Sequence, residues 1–139
     1  MKVYLAAQYA RRDELRTYKE VLNSLGIEVT SRWLYEQGSL TGDMGEEKEH
    51  FYIETAKIDL EDVDAADAVI FFSEDPLVGI KRGGRHVEYG YAVKGQKPVY
   101  VIGPKENVFH YIDRVYHFDT FNEFVETFKK YASVEEVCQ

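Results

Sequence analysis

The chain has 139 residues, of which 45% are apolar and 30% are charged. This suits one folded domain over residues 1–139 and excludes two domains of ordinary size. The single cysteine, Cys138, excludes a disulfide framework and a multi-cysteine zinc site, so we expect a reducing, cytoplasmic setting. No apolar stretch approaches the roughly 18 residues that a membrane-spanning helix requires.

The net charge of −8 is concentrated in one segment. Residues 41–67 contain ten acidic residues against two lysines, a balance equal to that of the whole chain. Because contacts to a nucleic-acid backbone need a broad basic face, a nucleic-acid polymer is an unexpected partner. The basic residues between 81 and 97 form a patch that suits a single phosphate or carboxylate group.

The spacing of apolar residues alternates between strand-like and helix-like along the chain. In order, it predicts a strand at Val3–Ala7, a helix at Arg11–Leu25, a strand at Ile27–Trp33, a loop at 34–44, an amphipathic helix at Glu46–Ala66 and a buried strand at Ala68–Phe72. It then predicts a loop at Ser73–Arg82, a helix at Gly83–Gly95, strands at Pro98–Ile102 and Arg114–Phe118 around a short helical piece, and a closing helix at Thr120–Ala132 capped by Thr120.

This alternation predicts an α/β fold with a single doubly wound, flavodoxin-like or Rossmann-like sheet. Its five parallel strands take the order 2-1-3-4-5, with helices on both faces. Ligands bind such sheets at the carboxyl ends of the strands, where the strand order reverses. We therefore expect the functional residues at Gln8–Arg12 and Ser73–Glu88.

Several familiar sites are missing from the sequence. There is no Gly-x-x-x-x-Gly-Lys-Ser/Thr motif, and the turn at 7–10 has no glycine for a dinucleotide. The four histidines lack the spacing of metal ligands. We therefore expect neither a cofactor nor a metal.

Two carboxyl groups are candidates for chemistry. Asp59 lies at the edge of the helical stripe that faces the sheet, where it is either a solvated acid or a partly desolvated proton donor. Glu88 lies near the start of the helix after the third strand, where it either complements the helix dipole or faces the crevice. One protonated and one ionised carboxyl group form the pattern of retaining glycoside chemistry.

The sequence resembles the nucleoside 2-deoxyribosyltransferase superfamily, which includes 2′-deoxynucleoside 5′-monophosphate N-glycosidases. The resemblance runs through nearly the whole chain, and the helix start that contains Glu88 is its most specific part. The segments that carry it are Lys2–Ala6, Leu25–Trp33, Ile58–Leu60, Gly83–Ala92, Gly95–Val99 and Gly103–His110.

The resemblance implies a role for four residues. Glu88 matches the nucleophile that forms a covalent deoxyribosyl intermediate, and Tyr4 matches the tyrosine that orients it. Asp59 matches the aspartate that takes part in protonating the base. Asn107 matches an asparagine that reaches the sugar of a neighbouring subunit, which implies a homodimer or a larger homo-oligomer with shared active sites.

One departure from the family pattern bears on the substrate. Transferases of the family can carry a second aspartate six residues before the nucleophile, where this chain has Arg82, although Asp75 is able to take its place. In the monophosphate N-glycosidases this region binds the 5′-phosphate, and Arg82, Gly84 and Arg85 at a helix start suit that group.

The expected function is therefore cleavage of the N-glycosidic bond of 2′-deoxyribonucleosides or their 5′-monophosphates. The sugar passes either to another base, as in a transferase, or to water, as in a hydrolase. The additional residues expected to bind this substrate are Gln8, Tyr9 and Arg12. The alternative is a nucleotide-binding or sensing module without turnover.

Overall fold

A computed structural model describes residues 1–35, 46–77 and 83–138. Its strands are β1 (Lys2–Ala6), β2 (Glu28–Val29), β3 (Ala68–Phe72), β4 (Val99–Ile102) and β5 (Val115–Phe118), and its α-helices are α1 (Arg12–Ser24), α2 (Glu46–Ala65), α3 (Gly84–Lys94) and α4 (Phe121–Cys138). Short 3-10 helices lie at Tyr9–Arg11, Arg32–Tyr35 and Val108–Tyr111.

The predicted fold class is confirmed. The five strands form one parallel sheet in the order β2-β1-β3-β4-β5. α1 and α4 lie on one face, where Tyr18 of α1 stacks on both Phe72 and Phe121. α2 and α3 lie on the other face and pack against β1 and against each other. The strand order reverses at β1, which places the expected crevice between the ends of β1 and β3.

The second strand is shorter than predicted. The alternation at Ile27–Trp33 suggested seven strand residues, but only Glu28–Val29 pair with β1. Beyond them, side chains satisfy the backbone of Leu5: its N–H donates to Ser31 Oγ at 2.7 Å, and its carbonyl accepts from the Trp33 indole at 2.8 Å. Because these side chains replace the ladder, the chain turns into a 3-10 helix at Arg32.

The closing helix begins as predicted and continues further. Thr120 Oγ1 accepts a hydrogen bond from the Glu123 N–H at 3.2 Å, and the Glu123 carboxylate accepts one from the Asp119 N–H. This reciprocal cap fixes the start of α4. Residues 121–138 contain no glycine or proline to stop the helix, which runs to Cys138 rather than Ala132.

One lysine closes the carboxyl end of α2. Lys97 Nζ donates to the carbonyl oxygens of Val63, Asp64 and Ala66 at 2.6 to 2.8 Å. These carbonyls lie where a helix has lost its own donors, so an ammonium group satisfies them and complements the negative end of the helix dipole.

The ends of β3 and β4 approach each other closely. Gly103, just after β4, has a φ of +110°, and a Cβ atom there would lie 2.6 Å from Ser73 Oγ. Glycine therefore suits this position for both its backbone conformation and its lack of a side chain. Within the described ranges, no helix has the length and apolar character needed to cross a membrane.

Candidate active site

The central contact of the site joins β1 to α3. The hydroxyl of Tyr4, a fully buried residue in the middle of β1, donates a hydrogen bond to Glu88 Oε2. Tyr4 points to the α2–α3 face of the sheet, and Glu88 lies on the second turn of α3. Two residues that are 84 positions apart in the sequence therefore meet as a pair.

Burial raises the pKa of Glu88 from 4.5 to about 8. The cause is desolvation, which disfavours the charged form of a carboxyl group. A carboxyl group with a pKa near neutrality in a crevice is typical of catalytic acids, bases and nucleophiles. At neutral pH, Glu88 is therefore held close to the point at which it gains or loses a proton.

Asp59 lies on α2, which packs against the helix that carries Glu88. The Tyr91 hydroxyl of α3 donates a hydrogen bond to Asp64 of α2 at 3.0 Å. At about 1.5 Å per residue, Asp59 lies ~7.5 Å before Asp64 along α2, and Glu88 lies ~4.5 Å before Tyr91 along α3. Asp59 is partly exposed, and its Oδ1 atom is buried.

The turn after β1 brings three predicted binding residues to the carboxyl edge. Gln8 precedes the 3-10 helix there, and the Arg12 guanidinium lies 4.5 Å from the centre of the Tyr9 ring. Arg12 also donates to the Tyr9 hydroxyl. Tyr9 is 40% exposed and therefore presents part of its aromatic surface to solvent.

Sequence reasoning missed Arg11, which connects the two loops that flank the crevice. Its guanidinium donates to Glu14, to the Ser73 carbonyl at 3.2 Å and to Glu74 at 3.1 Å. The sequence analysis assigned a role in substrate binding to the neighbouring Arg12 and no role to Arg11. The signal in the sequence was a pair of opposite charges, Arg11 in the first expected loop and Glu74 in the second.

The β3 side of the crevice is described in part. Asp75 Oδ1 accepts a hydrogen bond from the Leu77 N–H at 2.9 Å and shapes its own turn. Arg82 lies outside the described residues. Gly84 is exposed at the start of α3, and a Cβ atom there would meet no atom of the described residues within 4 Å. The roles of these three residues in substrate binding stay predictions.

Arg85 is buried and forms an ion pair. Its side chain is 1% exposed, and Nη2 lies 2.5 Å from Oε1 of Glu106, whose side chain is 6% exposed. The guanidinium also lies 5.9 Å from the centre of the Phe71 ring. Arg85 thus points toward the sheet and Glu106, and its predicted contact with a phosphate stays a prediction.

Three residues near this pair have donor atoms within 4.8 Å of one another: His86, Glu106 and His110. Sequence spacing did not suggest this convergence. However, Arg85 donates to both Glu106 oxygens, and the Glu106 N–H donates to His110 Nδ1 at 3.0 Å. Burial lowers the pKa of both histidines. Arg85 and the Glu106 N–H thus already use the Glu106 carboxylate and His110 Nδ1, while His110 Nε2 is buried without a hydrogen-bond partner among the described residues. Because the carboxylate that would have to bind an ion is already paired with a buried guanidinium, we assign no metal to the group.

Asn107 begins an exposed apolar segment. Its Oδ1 accepts a hydrogen bond from the Phe109 N–H at 2.9 Å, so the amide NH2 group is the part that remains for a ligand. Val108, Phe109 and Tyr111 are 75%, 61% and 70% exposed. Three apolar side chains of this exposure within four positions, around the buried His110, are typical of a protein contact surface.

Comparison with solved structures supports the fold resemblance. The chain is similar to a 2-deoxyribosyltransferase of Bacillus psychrosaccharolyticus, with a TM-score of 0.65, 23% identity and 90% of each chain covered. It is also similar to a CMP N-glycosidase of Clostridium botulinum, with a TM-score of 0.59, 17% identity and coverage of 93% of this chain and 98% of that one.

A third similar structure is a conserved protein of Enterococcus faecalis V583, with a TM-score of 0.54, 13% identity and coverage of 94% of this chain and 98% of that one. No protein-family model and no curated protein matches the sequence. At these identities the likenesses establish a shared fold, and that fold is one used by enzymes of glycosyl transfer and hydrolysis.

Proposed function

We propose that this protein belongs to the nucleoside 2-deoxyribosyltransferase superfamily and cleaves the N-glycosidic bond of nucleosides or nucleotides. The observation that most supports this proposal is the Tyr4–Glu88 hydrogen bond, which lies where the strand order of the sheet reverses. The Glu88 carboxyl group there is partly buried and has a raised pKa. The fold likeness to a 2-deoxyribosyltransferase and a CMP N-glycosidase supports the same reaction class.

In the first proposed step, Glu88 attacks C1′ of the sugar in its ionised form, which is the minor form below a pH of about 8. A bond forms between a Glu88 oxygen and C1′ while the bond from C1′ to the base nitrogen breaks, and its electron pair leaves with the base. Asp59 supplies a proton to the departing base, since an anionic base is a poor leaving group. Tyr4 holds the Glu88 carboxyl group in position through its hydroxyl.

In the second proposed step, the glycosyl ester is resolved. Attack on C1′ by a second base gives transfer, and attack by water gives hydrolysis. In either case a bond forms from C1′ to the attacking nitrogen or oxygen, and the bond from C1′ to the Glu88 oxygen breaks. The attacking group gives up its proton to the Asp59 carboxylate, so Glu88 leaves as a carboxylate and Asp59 is protonated again. As proposed, the reaction needs no cofactor and no metal, and it takes place in the cytoplasm on a small soluble substrate.

An assay with matched substrates tests the proposal. The protein is incubated with 2′-deoxynucleosides, their 5′-monophosphates and CMP, each with and without a free acceptor base, and the products are separated by chromatography. Release of a free base shows cleavage, and a new nucleoside that requires the acceptor shows transfer. Binding of a nucleotide without turnover of any substrate would instead support the sensing module.

A substitution at Arg82 distinguishes a nucleoside 5′-monophosphate substrate from a nucleoside substrate. If the substrate is a monophosphate, we expect Arg82→Ala to weaken its binding by about 1.5–3 kcal/mol, which is the contribution of a charge-assisted hydrogen bond. Binding of the matching nucleoside should not change. Equal effects on nucleotide and nucleoside would show that Arg82 is not a phosphate ligand.

We further propose that the active protein is a homo-oligomer in which the segment 107–111 contacts the site of a neighbouring subunit. The exposure of Val108, Phe109 and Tyr111 supports this. Sedimentation at micromolar concentration should show a dimer or larger species, and Phe109→Asp should shift it toward a monomer. A monomeric wild type would contradict the proposal.

A further inference from the structure

A cavity lined by aromatic rings lies on the α1–α4 face of the sheet, away from the Tyr4–Glu88 pair. Its volume of about 490 Å³ lies within the range of cavities that hold small organic molecules. None of its nine described lining residues is an aspartate, glutamate, lysine or arginine. Six of the nine are aromatic: Tyr100, Tyr116, Phe118, Phe124, Phe128 and Tyr131.

The walls of this aromatic cavity are fixed by the sheet and by α4. Tyr100 of β4 and Tyr116 of β5 are register partners, so their side chains stand on one face, with ring centres 5.4 Å apart. Phe124 of α4 meets Tyr100 and Phe118 edge to face, at ring-centre distances of 5.3 and 5.6 Å. Because strand pairing and helix packing hold these rings, the cavity is largely preformed, and binding there would order few side chains.

Two hydroxyl groups of the cavity are available to a ligand. Those of Tyr100 and Tyr116 have no hydrogen-bond partner among the described residues, whereas a buried tyrosine hydroxyl usually has one. Burial and the neighbouring Tyr116 hydroxyl raise the pKa of Tyr100 above its usual value of 10. The Tyr100 hydroxyl is therefore protonated at neutral pH and able to donate to an acceptor atom.

The cavity is accessible from outside the molecule. Two of its lining residues, Tyr116 and Tyr131, are 51% and 67% exposed, while Phe124 is 3% exposed. His117, between Tyr116 and Phe118 in β5, bonds through its ring to the Gly103 carbonyl. Exposed rings around an apolar hollow are typical of ligand-binding sites, and here the polar groups offered to a ligand are mainly tyrosine hydroxyls.

We propose that the aromatic cavity is a second ligand site, which binds a neutral planar aromatic molecule with a hydrogen-bond acceptor. The ligand's ring packs against the aromatic walls, and its acceptor receives a hydrogen bond from the Tyr100 or Tyr116 hydroxyl. A charged ligand would lose its hydration with no acidic side chain, lysine or arginine in the described lining to pair with it. The site is separate from the Tyr4–Glu88 pair, so the inference does not rest on the proposed function.

Quinoline is the probe for this site, because it is planar, neutral at physiological pH and has one ring nitrogen that accepts a hydrogen bond. Titrated into ¹⁵N-labelled protein, it should cause saturable NMR shifts at lining residues such as Thr127 and Tyr131, and none at Gly84–Glu88. The saturated bicyclic ketone 2-decalone should bind about 2- to 12-fold more weakly, since it cannot stack. The cation N-methylquinolinium and the anion 2-naphthoate should also bind more weakly.

Substitutions assign the binding to the cavity. Tyr100→Phe/Tyr116→Phe keeps both rings and removes both donors, so quinoline affinity should fall about 2- to 12-fold, the effect of one neutral hydrogen bond. The affinity of naphthalene, which has no acceptor, should not fall. Thr127→Phe, at a half-buried position of α4, fills the cavity and should remove the binding of both. Tyr35→Phe, which removes an exposed hydroxyl outside the cavity, is the control and should change neither.

The absence of saturable shifts at the cavity would overturn the inference, and so would shifts confined to the α2–α3 face. Equal losses of quinoline and naphthalene affinity in the double tyrosine variant, or no loss of either, would also contradict it. So would tighter binding of 2-decalone or of either charged relative than of quinoline. Thermal unfolding verifies the fold of each variant, and if Thr127→Phe does not fold, the tyrosine variant decides. A wild type inactive on every nucleoside and nucleotide would defeat the proposed function and leave this titration unaffected.

Discussion

The two faces of the sheet contrast in the chemistry of the side chains that cover them. Phe71 and Phe72 are neighbours in β3 and point to opposite faces. Phe72 meets Tyr18 and Phe121, at ring-centre distances of 5.4 and 6.1 Å, within the aromatic layer of α1 and α4. Phe71 meets His86, Tyr89 and His110, beside the buried polar groups of α2 and α3.

A cavity on the α1–α4 side sharpens this contrast. It has a volume of about 490 Å³ and lies between α4 and the last two strands, lined mainly by the aromatic residues Tyr100, Tyr116, Phe118, Phe124, Phe128 and Tyr131. It is therefore on the opposite face from Tyr4 and Glu88. Within the part of the chain that the structure describes, this cavity and the Tyr4–Glu88 pair are therefore separate, because strand alternation gives the two faces of the sheet different side chains.

The largest effect is expected when the Glu88 carboxyl group is removed from the α2–α3 face, because this tests whether the reactive groups lie on that face. Glu88→Gln should abolish nearly all turnover, because the covalent step loses its nucleophile. Stability should be retained or rise, since a buried group that resists ionisation is replaced by a neutral one of the same shape. Turnover and thermal unfolding are measured on the same preparation, and normal rates would end the mechanistic proposal.

The second largest effect is expected at α2. Asp59→Asn removes the proposed proton donor and should slow cleavage by about 10²–10⁴-fold. The loss should be greatest for substrates whose base most needs protonation, and smallest for an activated leaving group such as 4-nitrophenol. The test compares kcat across a series of leaving groups. A uniform loss would mean that Asp59 only supports the structure.

A substitution on the α1–α4 face should have the opposite result, a loss of stability without a change in catalysis. Phe121 is buried and stacks on Tyr18 with a ring-centre distance of 4.1 Å. Phe121→Ala should therefore lower the free energy of unfolding by about 3–5 kcal/mol. In the protein that remains folded, KM and the pH profile should match those of the wild type. A changed pH profile would show that the two faces are coupled.

The smallest effect concerns stability as a function of pH. Because Glu88 has a higher pKa in the folded chain than in the unfolded one, its contribution to stability is fully present below pH 4.5 and is lost as the pH rises through about 8. The melting temperature of the wild type should therefore fall across this window, relative to Glu88→Gln. Identical pH dependence in the two proteins would contradict the raised pKa.

Sequence patterning was sufficient for the fold because each element has a clear period. β3 is apolar on both faces, α1 ends before Gly26, and Thr120 and Glu123 fix the start of α4. The sheet order follows from these alternating elements and the handedness of their connections. The length of β2 did not follow, since the pattern at Ile27–Trp33 cannot reveal that Ser31 and Trp33 bond to Leu5 through their side chains.

The candidate site was predictable only in outline. The resemblance named Tyr4 and Glu88, and the structure joins them in a hydrogen bond. The sequence could not show that the Arg85 side chain points inward to Glu106, which is 21 residues away. A helical wheel shows which residues share a face of α3 but not which loop packs against that face. It also gave no sign that Asp62 is buried and accepts hydrogen bonds from the N–H and the guanidinium of Arg32.

The ammonium group at the end of α2 has a mechanical consequence. Lys97 anchors the carboxyl end of this 20-residue helix through three carbonyl oxygens, so any tilt of α2 turns about that end. At about 1.5 Å per residue, Asp59 lies only ~9 Å from the pivot, and the first residue of the helix lies ~28 Å from it. The same tilt would displace Glu46 about three times as far as Asp59, so α2 acts as a lever whose short arm carries the proposed proton donor.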